Sequence, residues 1–253
     1  MILPTNRSRL IRSAACLLVL IALIIPSVAG PTPMTRSDEH IIVLHGLCRT
    51  PRAMVKMTSA LEDAGYSVTN DGYPSRTATV HELAETHLHA QIESARAAGA
   101  KRIHFVTHSM GGILVRDYLA NHNLPDLGRI VMIAPPNQGS EVVDKLGTWK
   151  LFGRLNGPAG SQLGTNPESV PNSLGSPPPA VEFGVIAGTR SINWIQSLFM
   201  IRGRDDGKVS VENTKLKGMR DHLVVGATHP YISGKSDVTD ATIRFLQIGK
   251  FSE

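Results

Sequence analysis

Apolar residues fall along the chain in short blocks, and their period changes from block to block. Ile41-Ile42-Val43-Leu44 is continuous, rich in β-branched residues and ended by His45-Gly46, as expected of a strand buried on both faces. From Pro51 to Ala64, Met54, Met57 and Leu61 recur at helical spacing until Gly65 stops the pattern, and Tyr66 to Thr69 then has strand character. A second helix is predicted from Val80 to Ala98, closed by Gly99. A strand from Ile103 to Thr107 follows, then a helix that starts at Ser109 or Met110 and ends near His122. Further strands are predicted from Ile130 to Ile133, Val181 to Ala187 and Leu223 to Val225, with a closing helix from Val238 to Ile248. Strands alternating with helices imply an α/β fold, a mostly parallel central sheet flanked by helices on both faces.

Two stretches break this rhythm. In residues 1–29, Arg7, Arg9 and Arg12 precede an apolar run from Ala14 to Ile25 that Pro26 ends, the pattern of a secretory signal peptide. Ser27-Val28-Ala29 offers small residues to signal peptidase, so cleavage is expected after Ala29 and the protein is expected to be periplasmic or secreted. An uncleaved membrane anchor is the alternative, since Leu10, Ile11 and Val28 lengthen the apolar stretch. Residues 30–39 form a polar spacer, and 40–253 form the domain. Within it, Gly, Pro, Ser and Asn crowd residues 156–179, where no regular core element is expected. The region of about 137–180 is therefore read as a cap or loop insertion, with a short helix from Glu141 to Leu155; a disordered surface insert is the other reading.

The 253 residues, 42% hydrophobic and 19% charged, suit one globular domain. The formal charge of +5 includes the three leader arginines, so the mature chain carries about +2. With no dense basic run and only 5% aromatics, nothing points to nucleic acid. Cleavage would discard Cys16 and leave Cys48 alone, without an intramolecular disulfide.

The sharpest chemical signal is Thr107-His108-Ser109-Met110-Gly111-Gly112, at the handover from strand to helix. It resembles the nucleophile elbow of the α/β-hydrolase superfamily, in the His-Ser-Met-Gly-Gly form of bacterial lipases and esterases, with Thr107 in place of the first glycine of G-x-S-x-G. Glycines are needed there because the serine occupies a strained turn against neighbouring strand and helix. A bare N-cap role for Ser109 is the alternative.

The resemblance implies a triad in the chain order Ser, acid, His. His229, in Gly226-Ala227-Thr228-His229-Pro230, follows the last strand. His222 sits at that strand's front, the wrong end of a parallel sheet for catalysis, and His122 follows the serine too closely. For the acid, Arg204-Asp205-Asp206-Gly207-Lys208-Val209 resembles the family's Asp-Gly-x-Val turn, which selects Asp206, with Asp205 a close and Asp221 a remote competitor. His45-Gly46-Leu47 resembles the His-Gly-x oxyanion motif, so the amides of Leu47 and Met110 are the expected donors. Pro135-Pro136-Asn137-Gln138-Gly139-Ser140 resembles the family's turn toward the cap and carries no expected catalytic role.

A serine hydrolase cleaving carboxylic esters, lipase or carboxylesterase, is the function implied, with no cofactor and no metal. An acyltransferase with the same triad and a non-enzymatic lipid-binding module on this scaffold are the alternatives. The expected partner is a small-molecule or lipid ester, with membrane-surface contact open and oligomeric state unassigned. Trp149, Leu151, Phe152, Trp194, Ile195, Leu198, Phe199 and Met200 are candidates for an apolar acyl site, or for the core of a small domain.

Overall fold

The computed structural model describes residues 38–252 apart from 148 and 193–198. The proposed leader, most of the spacer, and Trp194, Ile195 and Leu198 lie outside the described residues.

Six strands form one sheet, paired in parallel throughout: β1 (Glu39–Leu44), β2 (Ser67–Thr69), β3 (Arg102–His108), β4 (Leu127–Ile133), β5 (Phe183–Gly188) and β6 (Asp221–Val225). Their order is β2-β1-β3-β4-β5-β6, which puts the carboxyl end of β3 in the middle of the sheet. In such a sheet, loops leaving neighbouring strand ends share one edge, where ligands bind.

Period-two alternation sorts the strand residues onto two cores. Ile42, Leu44, Phe105, Ile130, Met132 and Val185 face one apolar cluster. Ile41, Val43, Val106, Val131, Ile133 and Ile186 face the other. The first cluster is covered by a helical run that begins as α2 (Val80–Leu83), passes through a π-turn at Ala84–Leu88 and continues as α3 (His89–Ala97), together with α4 (Met110–Asn121). A capping box at Thr79, whose side chain accepts from the Glu82 amide while Glu82 reaches back to the Thr79 amide, starts that run. The second cluster is covered by α1 (Val55–Asp63) and the closing helix Ser236–Ile248, which ends at the left-handed Gly249.

The cap departs from expectation. The predicted helix from Glu141 to Leu155 is instead two helices, α5 (Glu141–Leu146) and α6 (Lys150–Ser161), and the segment expected to lack regular structure holds the second half of α6 and the short α7 (Val170–Ser173). Gly157 and Pro158 conceal the continuation: Gly157 has φ 69° and kinks α6, and a side chain there would run into the backbone of Arg76. The glycine and proline that read as a loop are thus a bend within a helix.

Candidate active site

At the end of β3 the chain must turn sharply into α4, and Ser109 makes that turn at φ 53°, ψ −123°, a conformation rare for any residue with a side chain. Its amide donates to the Ile133 carbonyl of β4 (2.8 Å), pinning the turn to the sheet. Close packing dictates the surrounding glycines. A Cβ on Gly111 would stand 2.9 Å from the Leu44 carbonyl, and one on Gly46 would stand 3.0 Å from the Ser109 Cβ. The Ser109 side chain makes no capping bond to α4, so the N-cap alternative is set aside. Thr107 is fully buried, its hydroxyl directed at the Val131 carbonyl (3.4 Å). A Cβ on Gly112 would lie 3.2 Å from that hydroxyl, so this additional glycine makes the room that the threonine occupies.

The turn after β6 delivers His229. Its amide donates to the Asp206 carbonyl (2.9 Å), and its carbonyl accepts from His108 Nε2 (2.9 Å). Asp206 is buried; Oδ1 accepts from the amides of Lys208 (3.0 Å) and Val209 (2.9 Å), which leaves Oδ2 for His229 Nδ1 at 2.7 Å. With Nδ1–H donating there, Nε2 is the acceptor for the Ser109 hydroxyl at 3.0 Å. Gly188, at the end of β5, lets Asp206 approach, since a Cβ there would be 2.8 Å from the Asp206 Cβ.

The competing residues are engaged elsewhere. Asp205 Oδ1 accepts from the Gly207 amide (2.7 Å), Asp221 accepts from the amides of His222 and Phe251, and His222 bonds Thr214 (3.1 Å). His122 pairs with Glu85 (2.7 Å).

Leu47 lines a cavity beside Ser109, and Met110 opens α4; among the described residues neither amide has a backbone acceptor. The Leu47 loop is braced by His45, whose Nδ1–H donates to the Gly46 carbonyl (2.9 Å) and whose Nε2 accepts from the Tyr73 amide (3.3 Å). The two rings stack at 4.4 Å, and the Tyr73 hydroxyl donates to the His45 carbonyl (2.6 Å). Burial pushes the His45 pKa down, so the ring stays in this neutral form at neutral pH. His108 is held far below the usual histidine range, first by burial and then by the charges of His229 and Arg49. Tyr73 carries no motif, and only its place in the loop facing the oxyanion motif could have singled it out.

The cavity beside Ser109 has a volume of about 250 Å³, and its apolar walls come from Leu47, Val142, Val143, Phe152, Leu163 and Val209. Of the residues expected to form an acyl site, Phe152 alone among those described lines it; Trp149, Leu151 and Phe199 are exposed. The cap is joined to α4 through Arg116, which sequence reasoning missed. This buried guanidinium donates to the Asn137 carbonyl (2.9 Å) and side chain (3.2 Å), and to the carbonyls of Pro171 (2.8 Å) and Gly175 (2.6 Å). Burial pulls its pKa down, yet it remains charged at neutral pH. Among the described residues, no group of three His, Cys, Asp or Glu side chains comes together in a way that could hold a metal ion.

A sheet of this order, with a serine on a strained turn after its central strand, defines an α/β hydrolase, and the family comparison agrees. The model of the alpha/beta hydrolase family matches residues 41–229, and the chain belongs to that family. Comparison with the curated proteins gives no match. Among solved structures, the chain is similar to the lipase BlEst2 of Bacillus licheniformis in mature form, with a TM-score of 0.66 at 18% identity over 88% of this chain and 95% of that one. Phospholipase PlaB from Legionella pneumophila gives 0.64 at 19%, over 84% of this chain and 60% of that one. Staphylococcus hyicus lipase gives 0.55 at 12%, over 78% and 89%. At these identities the likeness is one of fold.

Proposed function

We propose that this hydrolase cleaves carboxylic esters, with Ser109 as nucleophile, His229 as general base, Asp206 orienting the imidazole, and the amides of Leu47 and Met110 as oxyanion donors. The observation that carries the reading is the relay from Ser109 Oγ to His229 Nε2 (3.0 Å) and from His229 Nδ1 to Asp206 Oδ2 (2.7 Å). Ser109 Oγ attacks the ester carbonyl carbon as its proton passes to His229 Nε2, and the carbonyl oxygen becomes an oxyanion that accepts from the two amides. The C–O bond to the alcohol then breaks as His229 returns that proton to the departing oxygen. Water, deprotonated by the same nitrogen, hydrolyses the acyl enzyme to free acid and restores the Ser109 hydroxyl. Asp206 Oδ2 accepts from His229 Nδ1–H and stabilises the imidazolium. That the structural neighbours include a lipase and a phospholipase fits an ester substrate with an apolar part. The leader pattern of residues 1–29 supports an exported protein.

The test is covalent labelling of the purified protein with a fluorophosphonate, followed by p-nitrophenyl esters of increasing chain length. Wild type is expected to label and turn over. Ser109→Ala and His229→Ala are expected to lose labelling and to lower kcat by on the order of 10⁴-fold or more. A wild-type protein that neither labels nor hydrolyses any of these esters sinks the proposal.

A further inference from the structure

The serine site has a charge bias that ester cleavage alone does not require. The ionisable side chains lining the cavity beside Ser109 are Arg49, Lys208, His108 and His229, apart from the Cys48 thiol; among the described residues no carboxylate lines it. Asp206 lies behind His229, with both oxygens already engaged. Neither Arg49 nor Lys208 forms an ion pair among the described residues, and both are exposed.

Both cations stem from main chain that the site itself holds fixed. The Arg49 amide donates to the Gly46 carbonyl (3.2 Å), within the turn that carries Leu47. The Lys208 amide donates to Asp206 Oδ1 (3.0 Å), and its carbonyl accepts from the Ser140 hydroxyl (2.7 Å). One loop follows β1 and the other follows β5, so the two approach from opposite sides of β3, with Ser109 between them. Two positive charges that have no ion-pair partner among the described residues, set over apolar walls, focus a field that attracts anions and is strengthened by the low dielectric of those walls. At about 250 Å³ the cavity is below the roughly 300–1,000 Å³ usual for ligand pockets. Such a space suits a short acyl chain, with the charged part of the substrate at the mouth.

We infer that the site selects short-chain esters whose alcohol portion bears a negative charge, a carboxylate or a phosphate, held by Arg49 and Lys208 while the carbonyl meets Ser109. The inference rests on the ester-cleaving reading above.

Two matched pairs test it: 4-acetoxybenzoate against methyl 4-acetoxybenzoate, and 1-butyrylglycerol 3-phosphate against 1-butyrylglycerol, compared by kcat/KM at low ionic strength. At least one anionic ester is expected to exceed its neutral partner about 10-fold, and the advantage is expected to shrink in about 0.5 M salt. The pair with the larger ratio tells whether a carboxylate or a phosphate is the group recognised. In the double variant Arg49→Gln, Lys208→Gln the ratio is expected to fall to about one, and Lys208→Glu alone is expected to reduce it; thermal melting checks that both variants fold. Wild-type ratios of about one in both pairs, or a ratio that survives the double variant, overturn the inference. Fluorophosphonate labelling separates the two readings. Labelling without a charge preference sinks only this inference, whereas a wild-type protein that neither labels nor hydrolyses any of the esters sinks the ester-cleaving reading and this one with it.

Discussion

The elbow and the cap meet at the same cavity yet are held by different means. Around Ser109 the constraints are main chain and missing side chains: the amide bond to Ile133, and the gaps at Gly46 and Gly111 that let backbones touch. In the cap the constraints are single side chains reaching across: Arg116 to Asn137, Pro171 and Gly175, Asp144 to Thr165 (2.8 Å to its amide), and Gln162 to the Val80 amide (2.8 Å). A backbone constraint is written into the sequence as a glycine at a fixed offset and leaves little freedom. A side-chain tie is written as one ordinary residue, and what it ties can move when it is cut.

The largest effect that distinguishes the two is expected at Gly46. Gly46→Ala puts a methyl group 3.0 Å from the Ser109 Cβ and the His108 Nδ1, on the backbone that carries the Leu47 amide. Turnover of a short p-nitrophenyl ester should fall by on the order of 10²–10³-fold, as when an oxyanion donor is lost. A variant within threefold of wild type would show that the elbow tolerates main-chain shifts and would erase the contrast.

Next comes Arg116→Met, which keeps the bulk and leaves the carbonyls of Asn137, Pro171 and Gly175 without this donor. Unsatisfied buried acceptors cost about 1–3 kcal/mol each, offset here by relief of a buried charge, so a net loss of about 2 kcal/mol is expected in denaturant unfolding. Hydrogen exchange gives the sharper reading: amides around Val170–Ser173 should exchange faster while those of β1, β3 and β4 stay protected. Faster exchange everywhere would mean that the cap and the elbow are one unit after all.

The remaining test is of pH, and it belongs to the sheet side. His104 is buried against β4, and its pKa is lowered to about 4 by burial first and then by Arg102 and Arg129; His108 lies lower than the usual range for the reasons already given. Below about 6.5 the unfolded chain therefore binds protons that the folded chain refuses. Stability is fully present at neutral pH and declines as pH falls toward about 4, by about 1.4 kcal/mol per pH unit for each histidine. Urea midpoints at pH 7.5 and 5.0 measure this, and the His104→Gln variant should flatten the slope. Equal midpoints would refute the burial argument.

The same contrast explains what could be read from the chain alone. Every predicted strand is present: the central strands leave a continuous apolar signature because they are buried on both faces, and the edge strands β2 and β6, which are only partly buried, are short β-branched runs, though β4 and β6 begin earlier, at Leu127 and Asp221, where polar residues enter the sheet. Ser109, Asp206 and His229 are legible because each sits in a motif tied to a strand end, and the structure brings the three together. The cap was misjudged because Gly157-Pro158 signals a loop wherever local rules are applied, and only the contact with Arg76 makes it a bend in α6. Arg116 was invisible for another reason: on the sequence it is one cation inside an apolar helix, and its acceptors lie 21 to 59 residues away.

The acceptors of Arg116 have a further consequence. An ion pair such as Arg96 with Asp126 loosens as salt screens it and lets go when the carboxylate takes up a proton. The guanidinium of Arg116 is instead buried and held by three peptide carbonyls and one amide oxygen, none of which titrates. With no ion pair to screen and no carboxylate to protonate, the joint between the cap and α4 is expected to hold in brine and in mild acid alike.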